Sequence, residues 1–262
     1  MDETRPIDPG RAIDWGKTSS DYSKHRPGPP DSFYDRLRAL GVGLPQQRIL
    51  DLGTGTGLLA RKFAEQGSLV SGIDISDGQI EAARELAREQ RLSIDFRVSP
   101  AETTPFPSHS FDAITANQCW LYFDKPKVIR EVKRLLKPGG VLVTSHFSWL
   151  SRLDAIARRS EQLVLKFNPQ WTAADWSGEI PVVPSWSIGE FDVTGMFYYD
   201  EPIPFTHESW RGRIRACRGT GAALKPEELA KFDVEHEALL KATVPETFTV
   251  LHRLDAHFFS PK

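Results

Sequence analysis

Along the chain, short runs that are almost wholly apolar alternate with longer runs in which apolar residues recur at every third or fourth position. Residues 48–52 (RILDL) and 69–74 (LVSGID) are of the first kind and read as buried strands. Residues 58–66, closed by Gly67, are of the second kind, so 48–74 forms a strand–helix–strand unit. A short amphipathic helix at 33–40, ended by Gly41 and Gly43, precedes it. Ser76 with Gln79 three residues on is a capping pattern, and Ile80, Ala83, Leu86 and Ala87 line one face of the helix that follows, to about Gln90. Strands are expected at 93–98 and, after the turn-rich stretch 100–110, at 111–116. Asp124 caps a helix whose Val128, Ile129, Val132, Leu135 and Leu136 share one face. Lys137-Pro138-Gly139-Gly140 stops that helix and returns the chain into a strand at 141–147.

This alternation predicts an α/β fold with a doubly wound, mostly parallel sheet. Beyond residue 149 the pattern changes to a long helix, a Trp/Pro-rich segment at 171–188, a strand near 191–199, helices near 206–218 and 226–242, and a last strand at 248–259. The expected organisation is a flap at 1–30 and a single domain at 31–262, with a ligand-binding core at 44–148 and a helical insert at about 150–245 that shapes a substrate pocket.

Of the 262 residues, 40% are apolar and 26% charged, ordinary proportions for a globular chain with a sizeable core. The net charge of -2 offers no broad positive field, which excludes nucleic acid as an expected partner. Asp2, Glu3, Arg5 and Asp8 stand where a secretory signal needs an apolar core, and no run approaches the roughly 18 apolar residues of a membrane span. Cys119 and Cys217 lack metal-ligand or disulfide-framework spacing, so no metal is expected, and a reduced cytoplasm is the expected compartment. The oligomeric state is left open.

In Ile49-Leu50-Asp51-Leu52-Gly53-Thr54-Gly55-Thr56-Gly57 a buried strand meets a helix through glycines at every second position, which lets backbone approach a ligand closely. An acid lies two residues before the first glycine, and a second, Asp74, ends the next strand. An acid in the second place accepts the hydroxyls of a ribose. Asp51 beside the loop argues against a pyrophosphate and suits a ligand carrying an ammonium group. The plainer alternative is a tight strand–helix turn with no ligand.

These residues resemble the class I S-adenosylmethionine-dependent methyltransferases, of the ubiquinone-biosynthesis-like or type 11 group. The likeness runs from about Tyr22 to Phe147, carried by ILDLGTGTG (49–57), GIDIS (72–76), AETTPFPSHSFDAITANQCW (101–120) and EVKRLLKPGGVLV (131–143). It implies a seven-stranded sheet of order 3-2-1-4-5-7-6, with the last strand antiparallel, and S-adenosylmethionine as cofactor. By the same resemblance Gly53 and Gly55, with Gly57 completing the loop, contact the methionine part. Asp74 and Ile75 hold ribose and adenine, Ala101 and Glu102 line the adenine edge, and Asn117 and Gln118 sit beneath the sulfonium. Tyr22, His25 and Arg26 lie in a segment similar to the Y-x-x-x-R-P stretch that closes over the cofactor in related enzymes. Pro100 stands where the family often has an acid, and Leu121 replaces the His of the Q-x-x-H-W-F-D segment of trans-aconitate-methyltransferase-like members.

Methyl transfer from a sulfonium is an in-line displacement in which alignment does most of the work, and a base is needed only where the acceptor must lose a proton. His146, after the fifth strand, is the first candidate base; the alternative is a histidine held by its neighbours without a chemical role. Tyr122, Trp149, Trp210, Arg211 and Arg215 are the candidate substrate contacts. Arg211, Arg215 and Arg218 share a helical face that suits an anionic acceptor or, alternatively, is a solvated face or pairs with local acids such as Glu201 and Glu208. Asn117-Gln118-Cys119-Trp120 is not the N/D-P-P-Y/F/W tetrad of amine methylation in nucleic acid, and no set of acids suggests a magnesium catechol site. The expected function is methyl transfer to a small molecule through O, N, S or a carboxylate. A non-catalytic cofactor-binding regulator and a nicotinamide oxidoreductase are the alternatives.

Overall fold

The computed structural model describes residues 27–262. Helix α1 (Asp31–Ala39) leads into strand β1 (Arg48–Leu52), helix α2 (Leu58–Glu65) and strand β2 (Leu69–Asp74). Helix α3 (Asp77–Glu89) follows, its N-terminus capped by the Ser76 side chain accepting from Gln79 N. Strands β3 (Asp95–Val98) and β4 (Phe111–Asn117) lead to α4 (Lys125–Leu135), where Asp124 accepts from Lys127 N as its spacing predicts. Strand β5 (Leu136–Trp149), helix α5 (Ala155–Phe167), strand β6 (Phe191–Thr206), helices α6 (His207–Arg215) and α7 (Pro226–Thr243) and strand β7 (Thr247–Pro261) complete the order.

The seven strands form one mixed sheet of order β3-β2-β1-β4-β5-β7-β6. Strand β1 pairs in parallel with β2 and β4, placing Asp51 opposite both Gly72 and Thr115; β4 pairs in parallel with β5, placing Asn117 opposite Ser145. The register brings the carboxyl ends of β1, β2, β4 and β5 to one edge, the edge where ligands bind in open α/β sheets.

One local expectation is corrected. Lys137-Pro138-Gly139-Gly140 does not separate a helix from a strand beginning at 141: β5 starts at Leu136, and these four residues bulge between the pairs Phe111–Leu136 and Ala113–Val141. Gly139 takes φ 78°, and the Lys137 ammonium folds back onto Asp112 at 2.7 Å. The bulge satisfies the turn chemistry of Pro-Gly-Gly while keeping the ladder. The strand near 191–199 also runs further, to Thr206.

The described residues fall into two compact units, described separately. One gathers 28–147, 180–199 and 254–262; the other gathers 148–179 and 200–253. The core of the first unit packs Val128, Ile129, Val132 and Leu135 of α4 with Leu50 and Leu52 of β1, Ile114 and Ala116 of β4, Phe111, Phe191 and Phe259. Each Val, Leu, Ile or Phe of this set contributes about 1.5–3 kcal/mol on burial. In the second unit Trp210 is wholly buried and donates its indole N–H to Ser160 Oγ at 2.9 Å, and Ser160 lies 2.9 Å from His236 Nε2. Burial holds His236 neutral, with its pKa lowered to about 4. Ser160 accepts from Trp210 and shares a hydrogen bond with His236, and all three side chains are fully buried, so the chain is a sealed structural link. No helix of the described residues is long and apolar enough to cross a membrane.

Candidate functional site

Between β1 and α2 the backbone turns through Gly53 at φ 56° and Gly57 at φ 76°, a region that side chains rarely adopt. A Cβ on Gly53 would lie 2.8 Å from Cys119 Cβ, and one on Gly57 would lie 2.7 Å from Phe96 Cζ, so the loop is packed from beneath by β3 and by the turn after β4. The Cys119 thiol donates to Leu52 O at 3.0 Å, and burial pushes its pKa well up, so it is a packed thiol rather than a nucleophile.

Asp51 is only 3% exposed, and its two oxygens accept from Thr54 Oγ1 at 2.6 Å and Thr115 Oγ1 at 2.7 Å. Desolvation lifts its pKa to about 6, against the pull of those two hydroxyls. Neither threonine was singled out in the sequence; Thr115 reaches Asp51 only through the β1–β4 register.

Asp74 ends β2 half-buried. Its Oδ2 accepts from Gly55 N at 3.0 Å and its Oδ1 from Ser76 N at 2.9 Å, so one carboxylate ties the glycine loop to the start of α3. Burial raises its pKa, opposed by those same N–H groups. The next residue, Ile75, is 70% exposed, an apolar surface beside an acid at the ligand edge. A carboxylate with lone pairs to spare, an open apolar face and a glycine loop fit a nucleoside: hydroxyls on Asp74 and the flat face of a base on Ile75.

At the end of β4, Gln118 adopts φ 61°, an uncommon conformation for a residue with a side chain, and its amide donates to Phe147 O. Gln118 N donates to Ser145 O at 2.9 Å, and Ser145 Oγ donates to Asn117 Oδ1 at 3.1 Å. The end of β4 is thus laced to β5, and His146 stands within β5, which runs on to Trp149, rather than after the strand as the sequence suggests; its side chain is 29% exposed.

The structure brings Asp51, Gly53, Gly55, Gly57, Asp74, Ile75, Asn117, Gln118 and His146 into the first unit, on the carboxyl ends of β1, β2, β4 and β5 or the loops after them. Ala101 is buried in the core of that unit, and Glu102 spends Oε1 on Asp124 N at 2.9 Å, steadying the cap of α4. Tyr122 is partly exposed in the short helical turn Trp120–Tyr122. Tyr22, His25 and Arg26 lie outside the described residues. The remaining candidates belong to the second unit. Trp210 is a core residue with no exposed surface, a correction to its expected role as a substrate contact. Trp149 is nearly as buried, donates to Glu161 Oε1 at 2.6 Å and lies under the Arg213 guanidinium. Arg211 and Arg215 both clasp Asp233, the latter at 2.7 Å, and both reach Glu208; of the two readings of that arginine face, pairing with acids is the one the geometry displays.

A family model described as "Methyltransferase domain" matches residues 50–144. The ubiquinone biosynthesis O-methyltransferase of Histophilus somni is 31% identical over 168 residues, covering 62% of this chain and 70% of that protein. The enzyme of the same description from Xanthomonas campestris pv. campestris is 30% identical over 200 residues, covering 72% and 80%. The X-ray structure of YjhP from E. coli is similar at a TM-score of 0.55 and 19% identity, over 94% of this chain and 99% of that one, a likeness of fold. The chain belongs to the class I S-adenosylmethionine-dependent methyltransferases. It is an enzyme, and its cofactor is S-adenosylmethionine. That nucleoside fits the Asp74–Ile75 corner, and its sulfonium supplies an activated methyl group when bound.

The raised Asp51 pKa links cofactor binding to pH. If Asp51, tied to the loop through Thr54, answers the ammonium of the methionine moiety as the resemblance implies, it does so only when ionised, and affinity for S-adenosylhomocysteine is then expected to fall below pH about 6, by at most tenfold per unit. For folding the sign is opposite. The folded protein keeps a proton that the unfolded chain releases between pH 3.8 and about 6, so this contribution to stability is present at low pH and lost as pH rises through about 6. Asp51→Asn is therefore expected to stabilise the free protein at pH 7.5 by up to about 3 kcal/mol while weakening cofactor binding. Thermal melts and calorimetric titrations at pH 5 and 7.5 check both signs; a variant less stable at both pH values would overturn the argument.

Proposed function

We propose that this enzyme transfers its methyl group to a hydroxyl oxygen of a small molecule, with His146 as the base that receives the hydroxyl proton. The observation that carries the reading is the place of His146: a partly exposed imidazole on β5, one residue past the Asn117–Ser145 pair at which β4 ends, on the sheet edge that also carries the glycine loop. The similar proteins, O-methyltransferases of ubiquinone biosynthesis, support oxygen as the acceptor atom. Alignment of acceptor and methyl group supplies most of the rate, and the base adds about 10²- to 10⁴-fold.

The test is incubation of the protein with methyl-labelled S-adenosylmethionine and a panel of phenols, catechols and hydroquinones, followed by mass spectrometry of extractable products. O-methylated product is the expected result. Cofactor binding without transfer to any small molecule would move the reading to a non-catalytic regulator.

A further inference from the structure

The partner of His146 deepens that reading and rests on it. His146 Nδ1 lies 3.0 Å from Oδ2 of Asp255, a carboxylate on β7 with no exposed surface, 109 residues away in sequence. A carboxylate only accepts, so Nδ1 carries the proton of this bond. A second imidazole stands behind the acid: His257 Nδ1 is 4.0 Å from the same Oδ2, and its Nε2 is 2.8 Å from Pro181 O. The carbonyl also only accepts, so His257 Nε2 is the protonated nitrogen, and burial lowers the pKa of this ring and keeps it neutral. The neutral ring then turns a lone pair, not a proton, toward Asp255. The other oxygen of Asp255, Oδ1, is buried with no hydrogen-bond partner among the described residues.

We propose that Asp255 is the positioning residue of the methyl-transfer reaction. It holds His146 as the Nδ1–H tautomer with Nε2 as the free basic nitrogen, and so dedicates the site to acceptors that must surrender a proton, neutral hydroxyls rather than acceptors already anionic. The structure explains each part. Among the described residues His146 is the one close donor to a buried acid whose second oxygen has no partner there, so turning the ring over or away costs that acid this donor. When Nε2 takes a proton, the resulting imidazolium faces a carboxylate in a water-poor setting, where the attraction is strongest. In the balanced step the hydroxyl proton passes to His146 Nε2 while the oxygen electron pair forms the O–CH₃ bond and the S–CH₃ pair stays on sulfur. The imidazolium then releases the proton to solvent.

The experiment compares the wild-type protein with Asp255→Asn, His146→Gln and the double variant, using catechol and thiophenol as acceptors, the latter already largely anionic at pH 7.5. Affinity for S-adenosylhomocysteine and the near-ultraviolet circular dichroism report whether each variant is folded. For Asp255→Asn a fall in kcat of about a hundredfold or more is expected with catechol, KM staying within about threefold, and little change with thiophenol. The double variant is expected to be no slower than His146→Gln alone, because Asp255 acts through His146. Long-range proton–nitrogen correlation spectra of histidine-labelled protein are expected to show the Nδ1–H tautomer of His146 in wild type and its loss in Asp255→Asn. Equal losses with both acceptors, additive losses in the double variant, or an Nε2–H tautomer in wild type would overturn the proposal while leaving hydroxyl methylation standing. Transfer to neither acceptor by wild-type protein that binds S-adenosylhomocysteine would overturn the function it rests on, and this inference with it.

Discussion

Replacing Asp74 with alanine is expected to weaken binding of S-adenosylhomocysteine by about a hundred- to a thousandfold. Hydrogen bonds to an ionised acceptor are worth about 1.5–3 kcal/mol each, and a ribose offers this carboxylate two hydroxyls. At about 1.4 kcal/mol per factor of ten, the lower half of that range, about 3–4.5 kcal/mol for the pair, is a loss of two to three decades even before the protein reorganises. The variant also removes the acceptor of Gly55 N and Ser76 N, so the loop and the start of α3 lose their common anchor. Asp74→Asn separates the parts: it keeps an acceptor for one of the two amides and lacks the charge. Calorimetric titration reads both, and affinity within threefold of wild type in the alanine variant would place the nucleoside elsewhere.

Gly53→Ala carries the second large effect, on stability as well as binding. Its φ of 56° costs a side chain about 1–2 kcal/mol. The new methyl meets Cys119 Cβ at 2.8 Å and Sγ at 2.9 Å, and overpacking of that kind costs about 1–3 kcal/mol more. A fall in melting temperature of about 10 °C is expected, with loss of cofactor binding. Adding Cys119→Gly removes both obstructing atoms and is expected to recover part of the loss, whereas Cys119→Ala keeps the closer of the two and is not. Full rescue by Cys119→Ala would show that the sulfur, not the backbone, sets the limit.

Most of the fold and the elements that form the candidate cofactor corner are legible because their signals are local. The strand–glycine loop–helix of β1 and α2, the Ser76 and Asp124 caps and the acid at the end of β2 each declare themselves within a few residues. What the sequence hid depends on contacts between distant segments. The threonine pair that quenches Asp51 needs the β1–β4 register, and the acid behind His146 comes from another strand altogether. The arginine face of α6 is readable as a pattern, but its counter-charge Asp233 sits on α7, so periodicity alone could not tell a bound anion from an internal ion pair. Trp210 failed as a pocket residue for a related reason: aromatic residues look alike in sequence whether they line a cavity or fill one. Pro-Gly-Gly reads as a turn because its local chemistry is that of a turn, and only the ladder on either side makes it a bulge.

The sheet order has a consequence for biosynthesis. Strand β6 stands at the edge and reaches the rest of the sheet only through β7, yet β7 is the later of the two in the chain. A nascent polypeptide therefore carries a sixteen-residue strand with no neighbour on either side until the following segment has been made and threaded into the gap beside β5. Through that interval its backbone donors and acceptors are open to adventitious pairing, and Asp192, Asp200, Glu201 and the prolines at 202 and 204 are placed along it as the residues that discourage such association.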